Sequence, residues 1–473
     1  MAHPVYSSYA ELLAAVDAGE GGREILDPAT GERVGFADNH TVGDLNAVLA
    51  RSSEAFASFR TTSHEQRSAM LMAAADALED NAEYLAQLLS REQGKPLNGP
   101  NARFEVGACV AWLRATASLQ LEPEVLVDDG TTYSTLTYRP LGVVAAIGPW
   151  NWPMMITVWQ IAPALRMGNT VVVKPSGYTP LSVKALVQLI ASAFPEGVVS
   201  YLSGSREVST GLTTHEDVAK IMFTGSNPTG QKIIEASAPT YKRLTLELGG
   251  NDAGIVLDDV DPKAVAEDIF WGAFINTGQT CAALKRLYVP ESIYDDVVDA
   301  LADVAREVPM GPGMDEANLL GPLQNKSQYD IVADLVQKAK DSGARVVLGG
   351  NPDAEQTGYF YPTTLVADID PDNPLVVEEQ FGPALPIVRY STVEEAIEMA
   401  NSLDVGLGSS VWSSDRDRAL SVAERLVAGT TWINSHGGVD PRIPFGGAKH
   451  SGYGVEFGVE GLKGLGQPHV ITI

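Results

Sequence analysis

The chain has 473 residues, 45% of them apolar, and 60 Asp plus Glu against 33 Lys plus Arg leave a formal net charge of −27. At roughly 150 residues per domain this is about three domains' worth of chain, long enough to bury on the order of three quarters of its unfolded surface without cross-links. The acidic field argues against a nucleic-acid partner, and two cysteines, Cys109 and Cys281, exclude a disulfide scaffold and favour a reducing, cytoplasmic setting.

Met1 to Glu20 has no basic stretch ahead of its apolar residues and already carries Glu11 and Asp17, so no secretion signal is expected. Ser63 to Gln66 fits a capping box. Met70, Leu71, Ala74, Leu78, Leu85, Leu88 and Leu89 then keep a helical period until Gly94 and Pro96, which predicts one helix over that span. Cys109 falls in a further helical pattern and reads as a small packing residue. Around Val127 to Tyr138 the pattern turns to strand-like alternation. The charge-free run Pro140 to Leu165 is long enough for a membrane, but Pro149, Asn151, Pro153 and Pro163 interrupt it. It reads as a buried strand, a sharp loop and a helix start, and no membrane partner is expected.

From Gly142 onward short β-rich segments alternate with helical ones: Val143 to Ile147, Thr170 to Lys174, Val198 to Leu202, Lys220 to Thr224 and Leu244 to Leu248. A second series offers Gly254 to Leu257, Leu287 to Val289, Arg345 to Leu348 and Leu385 to Arg389. Such βαβ series build parallel sheets with helices on both faces, and ligands bind beyond the carboxyl ends of the strands. The predicted class is therefore α/β, with two parallel-sheet domains. The dinucleotide G-x-G-x-x-G, the NTPase P-loop and the hydrolase G-x-S-x-G are all absent. Neither His64-Glu65 nor His215-Glu216 has a second His at metalloprotease spacing, so no metal is expected.

Three segments have the make-up of a reaction centre. Cys281 follows a polar, Gly-containing turn, Asn276-Thr277-Gly278-Gln279-Thr280, and precedes small residues, which suits an accessible thiol; an inert cysteine stays an open alternative. Glu247 alternates with Leu244, Leu246 and Leu248 at a strand end before Gly249-Gly250, where a general base would sit; a half-exposed strand Glu is the alternative. In Pro149-Trp150-Asn151-Trp152-Pro153 two prolines fix the backbone around one amide side chain, which suits an oxyanion donor, although turn chemistry alone accounts for Asn151.

With Lys174-Pro175-Ser176, the Gly225 to Gly230 turn, Glu379-Gln380-Phe381-Gly382-Pro383 and Pro444-Phe445-Gly446-Gly447, these segments resemble the aldehyde dehydrogenase superfamily, in the family's order over nearly the whole chain. The resemblance implies a Rossmann-like cofactor-binding domain (1–120 and 141–249), a Rossmann-like catalytic domain (250–450) and a small β oligomerisation element with the C-terminal tail (121–140 and 451–473). It implies oxidation of an aldehyde to the carboxylic acid with NAD(P). Cys281 would be the nucleophile, Asn151 and the Cys281 amide the oxyanion donors, Glu247 the base that activates water on the thioester, and Glu456 a second carboxylate that relays protons. Members that transfer the acyl group to coenzyme A commonly lack this Glu, so a free acid is the expected product. A coenzyme A-dependent semialdehyde dehydrogenase and a non-catalytic protein on the same fold are the alternatives.

The resemblance also assigns cofactor contacts to Trp150, Lys174, Ser176, Gly177, Gly225, Ser226, Gly230, Leu248, Glu379 and Phe381, and substrate contacts to Trp152, Met155, Trp159, Thr280, Ala282, Val439 and Phe445. Gly177 stands where many NAD-preferring members have a Glu that accepts from the adenosine 2′-hydroxyl and repels a 2′-phosphate, which leaves NADP open. NAD is the first expectation, because no basic residue is seen beside Gly177 and Tyr178 is neutral. Arg442 offers a partner for a carboxylate-bearing semialdehyde but reads more simply as a solvated loop residue, and Leu284-Lys285 departs from the Gly/Ser-rich continuation common after the family's cysteine. A homodimer or homotetramer is expected.

Overall fold

The apolar runs condense into two main sheets, seen in a computed structural model that describes residues 3–353 and 355–473. The first has the order Gly452–Tyr453, Arg243–Glu247, Val218–Thr224, Val143–Ile147, Thr170–Lys174, Val199–Tyr201, and only its first pair is antiparallel. Val143–Ile147 is buried at every position, which is why it reads as an unbroken Val/Ala/Ile run. Its neighbours lie on opposite sides, so its carboxyl end is a topological switch point, and the loop carrying Asn151 leaves from there.

The second sheet has the order Arg345–Leu348, Thr364–Ala367, Ala384–Tyr390, Leu284–Pro290, Asp252–Val256, Gly408–Trp412, Thr430–Ile433, parallel apart from its first pair. Thr364–Ala367, Gly408–Trp412 and Thr430–Ile433 have no counterpart among the expected segments. Leu284–Pro290 starts ahead of the predicted Leu287 because Lys285 and Arg286, which look solvated in sequence, are only 2% and 3% exposed. The class is α/β with two Rossmann-like sheets.

The helix predicted from Ser63 forms with its capping box but divides into His64–Glu79 and Ala82–Gln93. The buried Asn81 breaks it. Its amide nitrogen donates to Ala77 O (2.8 Å) and Pro4 O (2.9 Å), and its oxygen accepts from Tyr6 N (2.9 Å), so the side chain caps one helix while fastening the N-terminal segment. Gly94 ends the second helix at φ 96°, where a Cβ would lie 2.7 Å from the Pro28 ring. The charge-free run becomes Val143–Ile147, a loop and the helix Pro153–Arg166, buried at all its positions. Among the described residues no helix is long and apolar enough to cross a membrane. Glu124–Asp128, Tyr133–Pro140 and Gly466–Thr472 form a separate antiparallel sheet, whereas Gly452–Tyr453 joins the first main sheet.

Candidate active site

Asn151 owes its position to charges buried beneath it. Helix Pro153–Arg166 has no side-chain cap of its own at Trp152; instead Glu105, from helix Ala102–Ser118, accepts from Met154 N (2.8 Å) and Met155 N (3.1 Å), a carboxylate at the positive end of a helix. Lys95 pairs with Glu105 at 2.6 Å, donates to Asn151 O at 2.8 Å and lies 3.5 Å above the Trp152 ring. Both side chains are fully buried, and burial holds Lys95 down at about 8 despite its partner. Nothing in the sequence sets Lys95 or Glu105 apart from surface charges.

The loop before Cys281 has an unusual backbone. Asn276, Thr277 and Gly278 have φ of 50°, 58° and 74° in succession, a left-handed turn that costs about 1–2 kcal/mol at each non-glycine. Side chains hold it. Asn276 Nδ2 donates to Asn151 O (2.9 Å), Thr277 Oγ1 accepts from Gly321 N (2.9 Å), and Gln279 Oε1 accepts from Gln324 N (2.9 Å). Asn151 Nδ2 donates to Gln279 O (3.0 Å), which ties the two loops together and leaves its second N–H hydrogen free. Cys281 is partly exposed, and burial of the thiol pushes it up to about 12, with Lys285 opposing. Lys285 Nζ donates to Cys281 O (2.5 Å) and pairs with Glu379 (3.1 Å), so the departure from the family pattern is a buried bridge between the thiol loop and the Glu379 segment.

Glu247 is 4% exposed, not half-exposed, and neither carboxylate oxygen has a hydrogen-bond partner. Burial and then the charge of Glu456 hold its carboxyl well above the usual range. Glu456 is itself buried and raised to about 8, with Lys220 opposing. Lys220, held down at about 8 by burial, donates to Thr245 Oγ1 (2.8 Å). A lysine inside the apolar run Ala219 to Phe223 was the sequence signal for this third member.

Asn151, Glu247 and Cys281 line one cavity of about 960 Å³, together with Trp150, Lys174, Ser176, Gly177, Gly225, Ser226, Leu248, Glu379 and Phe381. Gly230 is not on its wall. A Cβ there would lie 2.7 Å from Leu248, so this glycine lets the helix sit close on the strand. Glu456 is off the wall as well. A dinucleotide fits the lining: the positive end of helix Asn227–Ser237 faces the cavity without a side-chain cap, and Trp150 and Phe381 meet edge-on at 5.4 Å. The expectation that no basic residue stands beside Gly177 is overturned, since a Cβ built on Gly177 would lie 3.7 Å from the Arg23 guanidinium. Strand pairing of Arg23–Leu26 with Arg33–Ala37 brings it there, which adjacency in sequence does not reveal.

None of the seven expected substrate residues lines this cavity. Trp152, Met155, Trp159, Ala282 and Phe445 belong to one buried cluster, against which Cys281 and Val439 pack, and Thr280 Oγ1 accepts from Trp152 Nε1 (2.9 Å). Trp112 and Phe457, absent from the expectation, complete it: Trp159 lies 4.8 Å from Phe457 and 5.5 Å from Trp112 between ring centroids. Apolar side chains thus pack against Cys281, which also lines the cavity. Arg442 pairs with Asp440 (2.6 Å) and is largely exposed.

The sequence profile of the aldehyde dehydrogenase family matches residues 16–471. An aldehyde dehydrogenase of a Fusarium species is 37% identical over 449 residues, 95% of this chain and 95% of its own length. The phenylacetaldehyde dehydrogenase of Pseudomonas fluorescens is 36% identical over 457 residues, 93% of this chain and 90% of its own. Among solved structures, an aldehyde dehydrogenase from Bacillus cereus in its NAD+ complex superposes with a TM-score of 0.93 at 32% identity, covering 100% of this chain and 99% of that one.

Proposed function

Because the chain belongs to the aldehyde dehydrogenase family, we propose that it oxidises an uncharged aliphatic or aromatic aldehyde to the carboxylic acid through a thioester on Cys281, with NAD or NADP as the oxidant. The observation that carries this reading is the unpartnered, buried Glu247 carboxyl on the same cavity wall as Cys281 and Asn151. Burial raises the Cys281 thiol while Lys285 opposes it, so attack follows loss of the thiol proton to solvent, a loss that Glu247 assists without being required for it. Sγ adds to the carbonyl carbon, and the oxygen that gains charge is met by the free N–H hydrogen of Asn151 and by the Cys281 amide. A nicotinamide dinucleotide bound in the cavity supplies the hydride acceptor. Glu247 then takes a proton from water as that water attacks the thioester, and the acid leaves. The aromatic cluster of Trp112, Trp159, Phe445 and Phe457 excludes water and accommodates an apolar side group.

The test follows the reduced nicotinamide spectroscopically with aliphatic, aromatic and semialdehyde substrates while the acid is quantified. Glu247→Gln is expected to give a burst of about one reduced cofactor per site and then to slow by about 10²- to 10⁴-fold, the range for loss of a general base. Turnover with no aldehyde, or a Glu247→Gln variant that turns over freely, overturns the reading.

Deprotonation of Glu247 is what makes it a base, and its carboxyl is raised, so activity rises with pH at values above the usual carboxylate range. The Glu456 charge contributes to that rise. Glu456→Gln is therefore expected to shift the ascending limb of the kcat profile to lower pH; an unmoved limb removes the coupling.

Assembly belongs to the same reading. Glu124–Asp128 is exposed at every position, with Val125, Leu126 and Val127 facing solvent, and Val470 and Ile471 on Gly466–Thr472 are exposed too. Edges of this kind pair with another copy. A homodimer or homotetramer is expected by light scattering, and a monodisperse monomer removes the assignment. The setting is reducing and cytoplasmic, because oxidation of Cys281 would end turnover.

A further inference from the structure

Two cations stand near Gly177: Lys174, on the same cavity wall, and Arg23. Arg23 approaches from the strand Arg23–Leu26, its Nη2 and Cζ lying 3.7 and 3.9 Å from where a Gly177 Cβ would be. Among the described residues its guanidinium makes no ion pair or side-chain hydrogen bond, whereas the neighbouring Glu24 pairs with Arg33. Glu92, a carboxyl on which the Arg23 charge bears, is committed elsewhere: it accepts from Leu181 N (2.6 Å), Ser182 N (2.9 Å) and Ser182 Oγ (2.5 Å).

On the cavity wall beside Gly177, Lys174 Nζ donates only to Pro175 O (3.0 Å), and the Ser176 oxygen accepts from Tyr178 N (3.3 Å), leaving its own hydrogen to donate. Burial and the Arg23 charge both disfavour the Lys174 ammonium. Two cations held near each other in a chain of net charge −27 repel until an anion is placed between them. The donors match that anion: a planar guanidinium fork, an ammonium and a hydroxyl suit a phosphate monoester.

We propose that Arg23 is the specificity-determining residue of this pocket and that, with Lys174 and Ser176, it holds the 2′-phosphate of NADP in the space that Gly177 leaves open. The assignment rests on the dinucleotide reading above and reverses its first preference, from NAD to NADP. A Glu at position 177 would occupy the same space, pair with Arg23 and repel the phosphate. Gly177 has an ordinary φ and nothing within 3.4 Å of the added Cβ, so the backbone accepts that side chain.

The same donors suit the 3′-phosphate of coenzyme A, so the experiment separates the sources. Adenosine 2′,5′-bisphosphate, adenosine 3′,5′-bisphosphate, 5′-AMP, NADP and NAD are titrated calorimetrically into the full-length protein and into Arg23→Ala and Gly177→Glu. Arg23 is exposed, so its truncation leaves the fold intact. The 2′,5′-bisphosphate is expected to bind about 10- to 100-fold more tightly than 5′-AMP, the range for a hydrogen bond to a charged group, and NADP to exceed NAD by a similar factor. Both ratios collapse in Arg23→Ala and invert in Gly177→Glu. Equal binding in the unmodified protein, or a ratio that Arg23→Ala leaves in place, overturns the proposal while the dinucleotide reading stands. A preference for the 3′,5′-bisphosphate overturns it in favour of a coenzyme A site, and failure of every nucleotide to bind overturns the dinucleotide reading with it.

Discussion

Cys281→Ala is expected to lower turnover by on the order of 10⁶-fold, the scale seen when a covalent nucleophile is removed, while nucleotide binding persists. The thiol lines the cavity at the end of a loop held left-handed by three side-chain contacts, and Ala fits that backbone as well as Cys does. Loss of activity therefore reports chemistry and not collapse of the loop. Cys109 supplies the control. It is 0% exposed on helix Ala102–Ser118, and burial holds its thiol well above the usual range, so Cys109→Ala is expected to retain turnover. Mass spectrometry after incubation with aldehyde and cofactor gives a second readout, an acyl adduct on Cys281 that accumulates in Glu247→Gln and is absent from Cys281→Ala. Substantial activity in Cys281→Ala, or an adduct on Cys109, removes Cys281 from the mechanism.

Much of this frame is legible without coordinates. Strands buried on both faces announce themselves as runs such as Val143 to Ile147, and Cys281, Glu247 and Asn151 stand out because each lies in a segment of special backbone chemistry. What escapes the sequence is set by contacts between distant segments. Arg23 adjoins Gly177 only through a hairpin fold, and Asn151 reaches Gln279 across 128 positions. Charges mislead in a regular way: Lys95, Lys285 and Arg286 look like solvated surface, yet all are buried, and each is compensated by an acid or a carbonyl that local pattern cannot supply. The break at Asn81 has the same origin, since its partners include Pro4 and Tyr6. The apolar cluster beside the thiol is half visible in sequence, because Trp112 and Phe457 are ordinary helix and loop aromatics until they meet each other and Trp159.

Lys95→Met is expected to destabilise the protein by about 3–5 kcal/mol, the range for breaking a buried ion pair from one side, and to reduce turnover beyond what the lost stability explains. Met fills the volume of the lysine stem, so the effect is electrical. Glu105 is left with no cation in a site from which water is excluded, yet it must go on accepting from Met154 N and Met155 N or strand both amides. Asn151 O meanwhile loses one of its two donors and depends on Asn276 Nδ2 alone, so the loop that aims the Asn151 amide loosens. Replacing Glu105 as well distinguishes the two consequences. Lys95→Met with Glu105→Gln keeps an acceptor oxygen for the helix amides and removes the orphaned charge, so stability is expected to recover most of the way in urea titrations. Turnover is expected to stay low, because neither substitution restores a donor to Asn151 O. A single variant within about 1 kcal/mol of the parent shows that the pair contributes no more than an exposed one. A double variant with full activity shows that the loop holds its shape without Lys95.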